Sequence, residues 1–154
     1  MPKIDLEAIE QTNRTGYPPP FDQAVAGRWH RRLSPVTGLT EFGVSHVVLK
    51  PGAWSSQRHW HDGEDEFLVM LSGEATLVED GGRTTLVAGD LAVFPKGTGD
   101  GHHLVNDSAE DCSFVVVGAG VNSGGGYSDI DMLFTADGTY TRKDGTPYKA
   151  RRAP

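Results

Sequence analysis

From residue 28 to 118 the apolar positions fall into short runs, each closed by a turn-forming cluster. Phe42–Leu49 is apolar and β-branched and ends at Pro51-Gly52; the run 66–71 ends at Ser72-Gly73. In Glu74–Glu79, Ala75, Leu77 and Glu79 oppose Thr76 and Val78, the period-two alternation of a strand with two unlike faces. Asp80-Gly81-Gly82 reads as a hairpin turn into a return strand over 83–88, because glycine reaches positive φ without strain. Gly89-Asp90 then turns into Leu91–Phe94, and 102–106 and 113–117 complete the set. The sequence shows no long amphipathic helix in this region. Strands at this spacing, with glycine-rich turns, predict an all-β sandwich or barrel.

The flanks read differently. Residues 1–26 are polar and end in Tyr17-Pro18-Pro19-Pro20-Phe21, an extended arm, with a short helix expected around 5–11. The expected organisation is an arm over 1–26, a barrel over 27–118, and a link and extension over 119–154 that packs on the barrel. Residues 119–126 read as a flexible link. Their glycine run lacks the Lys-Ser/Thr pair and the helix of a phosphate loop. The recurring aromatics of the tail 127–148 predict an ordered, turn-rich extension.

Composition narrows the function. A formal net charge of −7 disfavours nucleic acid as a partner. Arg28, Arg31 and Arg32 read as one solvated basic face. No apolar run approaches the roughly 20 residues of a membrane span, so no membrane partner is expected. The first residues lack the pattern of a signal peptide, and Cys112 is the only cysteine, which leaves no intramolecular disulfide. Both point to the cytoplasm. Cys112 reads as a small buried hydrophobe.

The chemistry concentrates in His59-Trp60-His61-Asp62-Gly63-Glu64-Asp65-Glu66 and in His102-His103. Alternate residues of a strand share a face, so His59 and His61 can converge on one point. Glu66 returns to that face after a turn over 62–65, which leaves Glu64 and Asp65 as solvated turn residues. Imidazole and carboxylate together suit Zn, Fe, Mn, Ni or Cu.

These segments resemble the two motifs of the cupin superfamily. The first is Gly52, then His59-x-His61, four residues, Glu66, six residues and Gly73. The second is Gly89, five residues, Pro95-x-Gly97, then His102, three residues and Asn106. Four residues instead of two separate Gly97 from the histidine, which leaves His102 or His103 as the last ligand; the spacing to Asn106 favours His102. With Ser55-Ser56-Gln57-Arg58 and Tyr127-Ser128-Asp129-Ile130-Asp131, nearly the whole chain is similar to small bacterial single-domain cupins, some described as sugar-phosphate isomerase-like. The resemblance implies a double-stranded β-helix (jelly-roll) barrel, often a homodimer. It also implies a divalent transition metal (Zn, Fe, Mn or Ni) held by His59, His61, Glu66 and His102, with Glu66 and His61 in the catalytic role. Asn106 is expected to support a turn or the ligands rather than bind metal.

The resulting expectation is a metalloenzyme acting on a small polar organic substrate, isomerase-like, with a sugar phosphate as the example. A cupin dioxygenase and a non-catalytic small-molecule sensor are the alternatives. Lys96 and Arg58 are candidate contacts to an anionic substrate. His30 and His46 read as structural or strand-face residues, and Trp54, Trp60 and Phe94 as core or pocket wall.

Overall fold

The structure, a computed structural model, describes residues 3–149. Twelve strands follow in chain order: β1 (Arg28–Arg32), β2 (Phe42–Leu49), β3 (His59–His61), β4 (Glu64–Ser72), β5 (Glu74–Glu79), β6 (Gly82–Val87), β7 (Leu91–Phe94), β8 (His103–Val105), β9 (Cys112–Gly120), β10 (Gly125–Tyr127), β11 (Leu133–Phe134) and β12 (Tyr140–Thr141). The helical turns are a 3-10 turn at Leu6–Ala8, within the span where a short helix is expected, and α1 at Ser34–Thr37. No helix among the described residues is long and apolar enough to cross a membrane.

The strands form three antiparallel sheets ordered β1-β2-β9-β4-β7, β12-β11-β10-β3 and β6-β5-β8. This is the all-β architecture expected from the strand spacing, in the double-stranded β-helix form that the family resemblance implies. The period-two pattern sets what each strand buries. On β4, Leu68 and Met70 point inward, while Phe67 and Leu71 are exposed; on β7, Ala92 and Phe94 are buried and Leu91 and Val93 are not. Leu49, Leu68, Met70, Leu77, Leu104 and Phe114 meet in one core. Each such side chain contributes roughly 1.5–3 kcal/mol by leaving water. Gly73 closes the turn after β4 at φ 69°, where a Cβ would lie 2.7 Å from the Asp111 carbonyl oxygen. Glycine is therefore required there on two counts.

Two local expectations change. The turn before Glu66 is only Asp62-Gly63, because β4 already begins at Glu64. And 119–126 is not a loose link: β9 runs on to Gly120, and Gly125–Tyr127 pairs with β3. Glycines lower intrinsic strand preference, but here they permit an approach too close for any side chain, so packing overrides propensity. The tail then folds back as β11 and β12. It joins Tyr17 and Val25 of the N-terminal segment to Tyr127 and Met132 in a second apolar cluster, with Trp54, Phe134 and Tyr140 against it.

Candidate metal centre

The site is built on β3, the start of β4, and the backbone just before β8. His59 and His102 exchange both backbone hydrogen bonds, His59 N to His102 O at 3.1 Å and His102 N to His59 O at 2.9 Å. Residues directly opposed in an antiparallel pair project to the same face. His102 therefore joins His59 and His61 on the inner face, and His103 must point the other way. His103 indeed donates from Nδ1 to the Ser56 carbonyl at 3.0 Å and packs edge-on against Trp54.

Glu66 occupies the inward row of β4 two residues before Leu68. Its Oε2 lies 2.8 Å from His102 Nε2 and 4.0 Å from His59 Nε2, and its Oε1 lies 3.6 Å from His61 Nε2. All three imidazoles thus present Nε2 to one carboxylate. His59 Nδ1 is 3.1 Å from the Gln57 carbonyl; a carbonyl only accepts, so Nδ1 carries the proton and the Nε2 lone pair is aimed at the centre. Ser56 Oγ lies at the same distance on that side. The His102 ring is stacked on Phe94, with centroids 3.6 Å apart and planes 2° from parallel. That packing fixes its rotation.

Electrostatics keeps His59 neutral and Glu66 ionised. Burial pushes His59 down to about 3, so its ring is neutral at physiological pH. Burial alone would raise Glu66, but the His102 hydrogen bond and the three neighbouring imidazoles outweigh it and hold the carboxyl at about 2.

His59, His61 and Glu66 offer ligand atoms that all lie within 4.8 Å of one another. Two ligands each ~2.1 Å from one ion are at most ~4.2 Å apart, so these side chains close on an ion by moving roughly half an ångström. The Nε2 of His102 lies against the same carboxylate, 2.8 Å from Glu66 Oε2, outside that group of three. Imidazole nitrogen and carboxylate oxygen are the donor set of Zn, Fe, Mn or Ni. The residues present therefore fit a divalent transition metal.

The cluster lines a cavity of about 330 Å³ inside the barrel, whose wall includes Phe94, Leu68, Tyr127, Phe134 and Tyr140. Strand register explains the aromatic wall. Tyr127 stands opposite His59 and so faces inward, whereas Gly126 stands opposite Trp60, whose ring would meet a Cβ there at 2.4 Å. Trp60 is therefore an outer packing residue, and its indole N–H donates to Asp62 Oδ1. The three tail aromatics were not among the residues expected at the site; the recurring aromatics after residue 126 were their only trace in the sequence.

The other candidates separate clearly. Glu64 is half-buried, with Oε2 3.5 Å from His61 Nδ1, rather than a solvated turn residue. Arg58 is taken up structurally: it holds Asp129 through two bonds of 2.9 and 2.7 Å and also pairs with Asp80. Lys96 is exposed and contributes its backbone N–H to Asp65. Asn106 is fully buried and far from bare. It donates to the Leu49 and Glu110 carbonyls and accepts from Ser108, so it latches the turn after β8. Burial pushes the Cys112 thiol up to about 11, which keeps it protonated and inert. His46 lies opposite Arg31 on the outer face of β2 and does not line the cavity. His30 does line it, together with Arg28 and Arg32. The three arginines of β1 are not one basic face: Arg31 alone turns outward, where it pairs with Glu7.

Comparison with known proteins agrees with this architecture. The family model described as "Cupin domain" matches residues 45–118. A crystal structure described as a sugar phosphate isomerase from a cupin superfamily, from Silicibacter pomeroyi, is 43% identical over 97% of this chain and 98% of that one, with a TM-score of 0.86. A Cupin 2 conserved barrel domain protein from Salinispora arenicola is 31% identical over 60% of this chain and 75% of that one, with a TM-score of 0.53. The polyketide cyclase RemF from Streptomyces resistomycificus shares the fold at 20% identity, over 77% and 79% of the two chains, with a TM-score of 0.63. A search of curated proteins finds no match.

Proposed function

The chain belongs to the cupin superfamily, and from that premise we propose that it is a metal-dependent enzyme acting on a small polar organic molecule, isomerase-like, with a sugar phosphate as the leading substrate class. The observation that carries this reading is the convergence of His59, His61 and Glu66 within 4.8 Å on the wall of a cavity that opens to solvent. His59, His61, Glu66 and His102 hold the metal. When bound, the metal supplies Lewis-acid polarisation of a substrate oxygen. The chain's own contribution is orientation and exclusion of water. The Gln57 carbonyl and Phe94 lock two of the imidazoles, and the aromatic wall from the tail dries the space around them. Glu66 and His61, 3.6 Å apart, take the catalytic role. The similarity to a protein described as a sugar phosphate isomerase supports the substrate class.

In the same reading residues 27–118 form the barrel body, flanked by the arm and the extension. A homodimer is supported by edge strand β7, where Leu91 (62% exposed) and Val93 (64%) stand outward beside Phe67. A monomeric mass in solution overturns the dimer. Elemental analysis of purified protein tests the function, followed by turnover of aldose and ketose phosphates with the metal found. About one transition-metal ion per chain is expected, with metal and turnover both lost in His61→Ala. A folded protein that takes up no transition metal, or turnover that survives without it, refutes the proposal.

A further inference from the structure

The wall of the cavity formed by β1 carries a second set of polar groups, apart from the histidines of β3 and the glutamate of β4. Arg28, His30 and Arg32 stand opposite Leu49, Val47 and Ser45 of β2, and all three line the cavity. Period-two alternation puts them on one face and sends Arg31 to the other.

Their partners are unusual. Arg31, Arg58 and Arg83 each pair with a carboxylate. Among the described residues, neither Arg28 nor Arg32 forms an ion pair, in a chain whose acidic residues outnumber its lysines and arginines 21 to 14. Scarcity of carboxylates does not explain this. The Arg28 guanidinium donates from Nη1 to the Ser55 carbonyl at 2.8 Å, while its Nε is buried with no hydrogen-bond partner in the protein. Nδ1 of His30 is buried and unpartnered in the same way. The strongest electrostatic influences on Arg28 come from Tyr17, Tyr140, Arg32 and Tyr127, none of them a carboxylate. Burial accordingly lowers its pKa, the mark of a cation held in a poorly solvating place. A desolvated guanidinium without a counter-charge is costly in an interior, and such groups are typical of ligand sites.

We propose that Arg28, Arg32 and His30 form an oxyanion subsite, and that the molecule bound in this cavity carries a carboxylate or a phosphate monoester on the end away from the histidine cluster. The guanidinium fork of Arg28 matches such an oxyanion with parallel N–H donors, and Arg32, at the exposed rim, adds the second positive charge. His30 offers a neutral imidazole. The cavity, at about 330 Å³, has room for roughly ten water-sized groups, enough for a small molecule to touch both walls. The proposal rests on the metal-enzyme reading only for what the other end of that molecule meets.

The test is calorimetric titration of the full chain, stripped of metal, with inorganic phosphate and separately with acetate, ribose serving as the uncharged control. Phosphate or acetate binds and ribose does not. Arg32→Met and Arg28→Met each weaken the binding by about tenfold or more, the loss of one charge-assisted hydrogen-bonded pair. Arg83→Met, on the outer surface, leaves it unchanged. Arg32 is exposed, so its variant folds even if Arg28→Met does not; Arg28→Lys then reports on the half-buried position. Tighter phosphate binding assigns a phosphate monoester, and tighter or equal acetate binding a carboxylate. Failure of both anions to bind a protein that still loads metal overturns the subsite and leaves the metal reading standing. Anion binding in a chain that takes up no metal does the reverse. Binding that is indifferent to both arginines also overturns it.

Discussion

Replacing Gly125 with alanine tests whether the tail is part of the metal centre or an appendage to it. A Cβ at this position would lie 2.0 Å from the Trp60 carbonyl oxygen and 2.6 Å from Phe134 Cζ. Carbon–oxygen contacts in sheets close only to ~3.3 Å, so β10 must move away from β3 by more than ~1 Å. The oxygen belongs to the backbone of β3 and has no rotamer to escape into. A shift of that size breaks the flanking bonds from Asp62 N to Gly124 O at 2.9 Å and from Ser128 N to Arg58 O at 3.0 Å. At about 1 kcal/mol for each bond, with 1–3 kcal/mol for displacing Phe134, the loss is about 3–5 kcal/mol. Because His59 and His61 ride on β3, disturbing that strand also spreads the donor cluster. Metal affinity should fall by at least ~10-fold, as it does when groups that orient ligands are lost. Gly81→Ala is the control: nothing lies within 4 Å of its Cβ and its φ is not positive, so the change should stay within ~0.5 kcal/mol. Urea unfolding midpoints and metal content after exhaustive dialysis report both effects. A Gly125→Ala protein that matches the parent in stability and in metal retention would refute the close-packing account of the site.

Other outcomes follow from the same geometry. His102→Gln should lower metal content, whereas His103→Gln should leave the metal content of the folded fraction unchanged; the opposite result would exchange their roles. Asn106→Ala removes bonds to Leu49, Glu110 and Ser108 and should cost about 2–4 kcal/mol in denaturant unfolding, with unchanged metal per folded chain. Loss of metal without loss of stability would instead make Asn106 part of the centre. Burial pushes His30 down to about 4, from about 6.5 in an unfolded chain. The unfolded state therefore takes up the proton first, and stability falls as pH drops from about 6.5 toward 4. This histidine accounts for about 1–2 kcal/mol between pH 7 and pH 5, and His30→Gln should flatten that part of the profile. A profile equally steep in the variant would remove His30 as a cause.

Strand alternation is a local property, and so most of the barrel was legible along the chain. Leu68 and Met70 had to share a face, as did Ala75 and Leu77, and each pair is buried. The same local rule aligned His59 with His61. Of the four donors expected at the centre, His59, His61 and Glu66 come within 4.8 Å of one another, and His102 reaches the same carboxylate because its backbone opposes His59. The length of the turn before Glu66 was less legible, since Glu64 and Asp65 carry no apolar signal to mark the start of a strand. Glu64 was consequently read as solvated, although it lies beside His61.

The sequence by itself determined most strands of the barrel body, their inner and outer faces, and a set of histidines and a glutamate that could meet. Only the tertiary structure decided what lies opposite them. The glycine run after residue 119 looked loose because glycine lowers strand propensity, yet Gly125 and Gly126 are needed where two backbones and the Trp60 ring come together. That approach carries Tyr127, Phe134 and Tyr140 into the cavity wall. Likewise Arg28, Arg31 and Arg32 look alike in a row of residues, and long-range packing alone gives Arg31 its Glu7 while leaving the other two facing the cavity with no ion-pair partner among the described residues. Period-two order comes from one strand's own geometry. Which segment covers a strand is set by burial between residues far apart in the chain, and no local pattern encodes it.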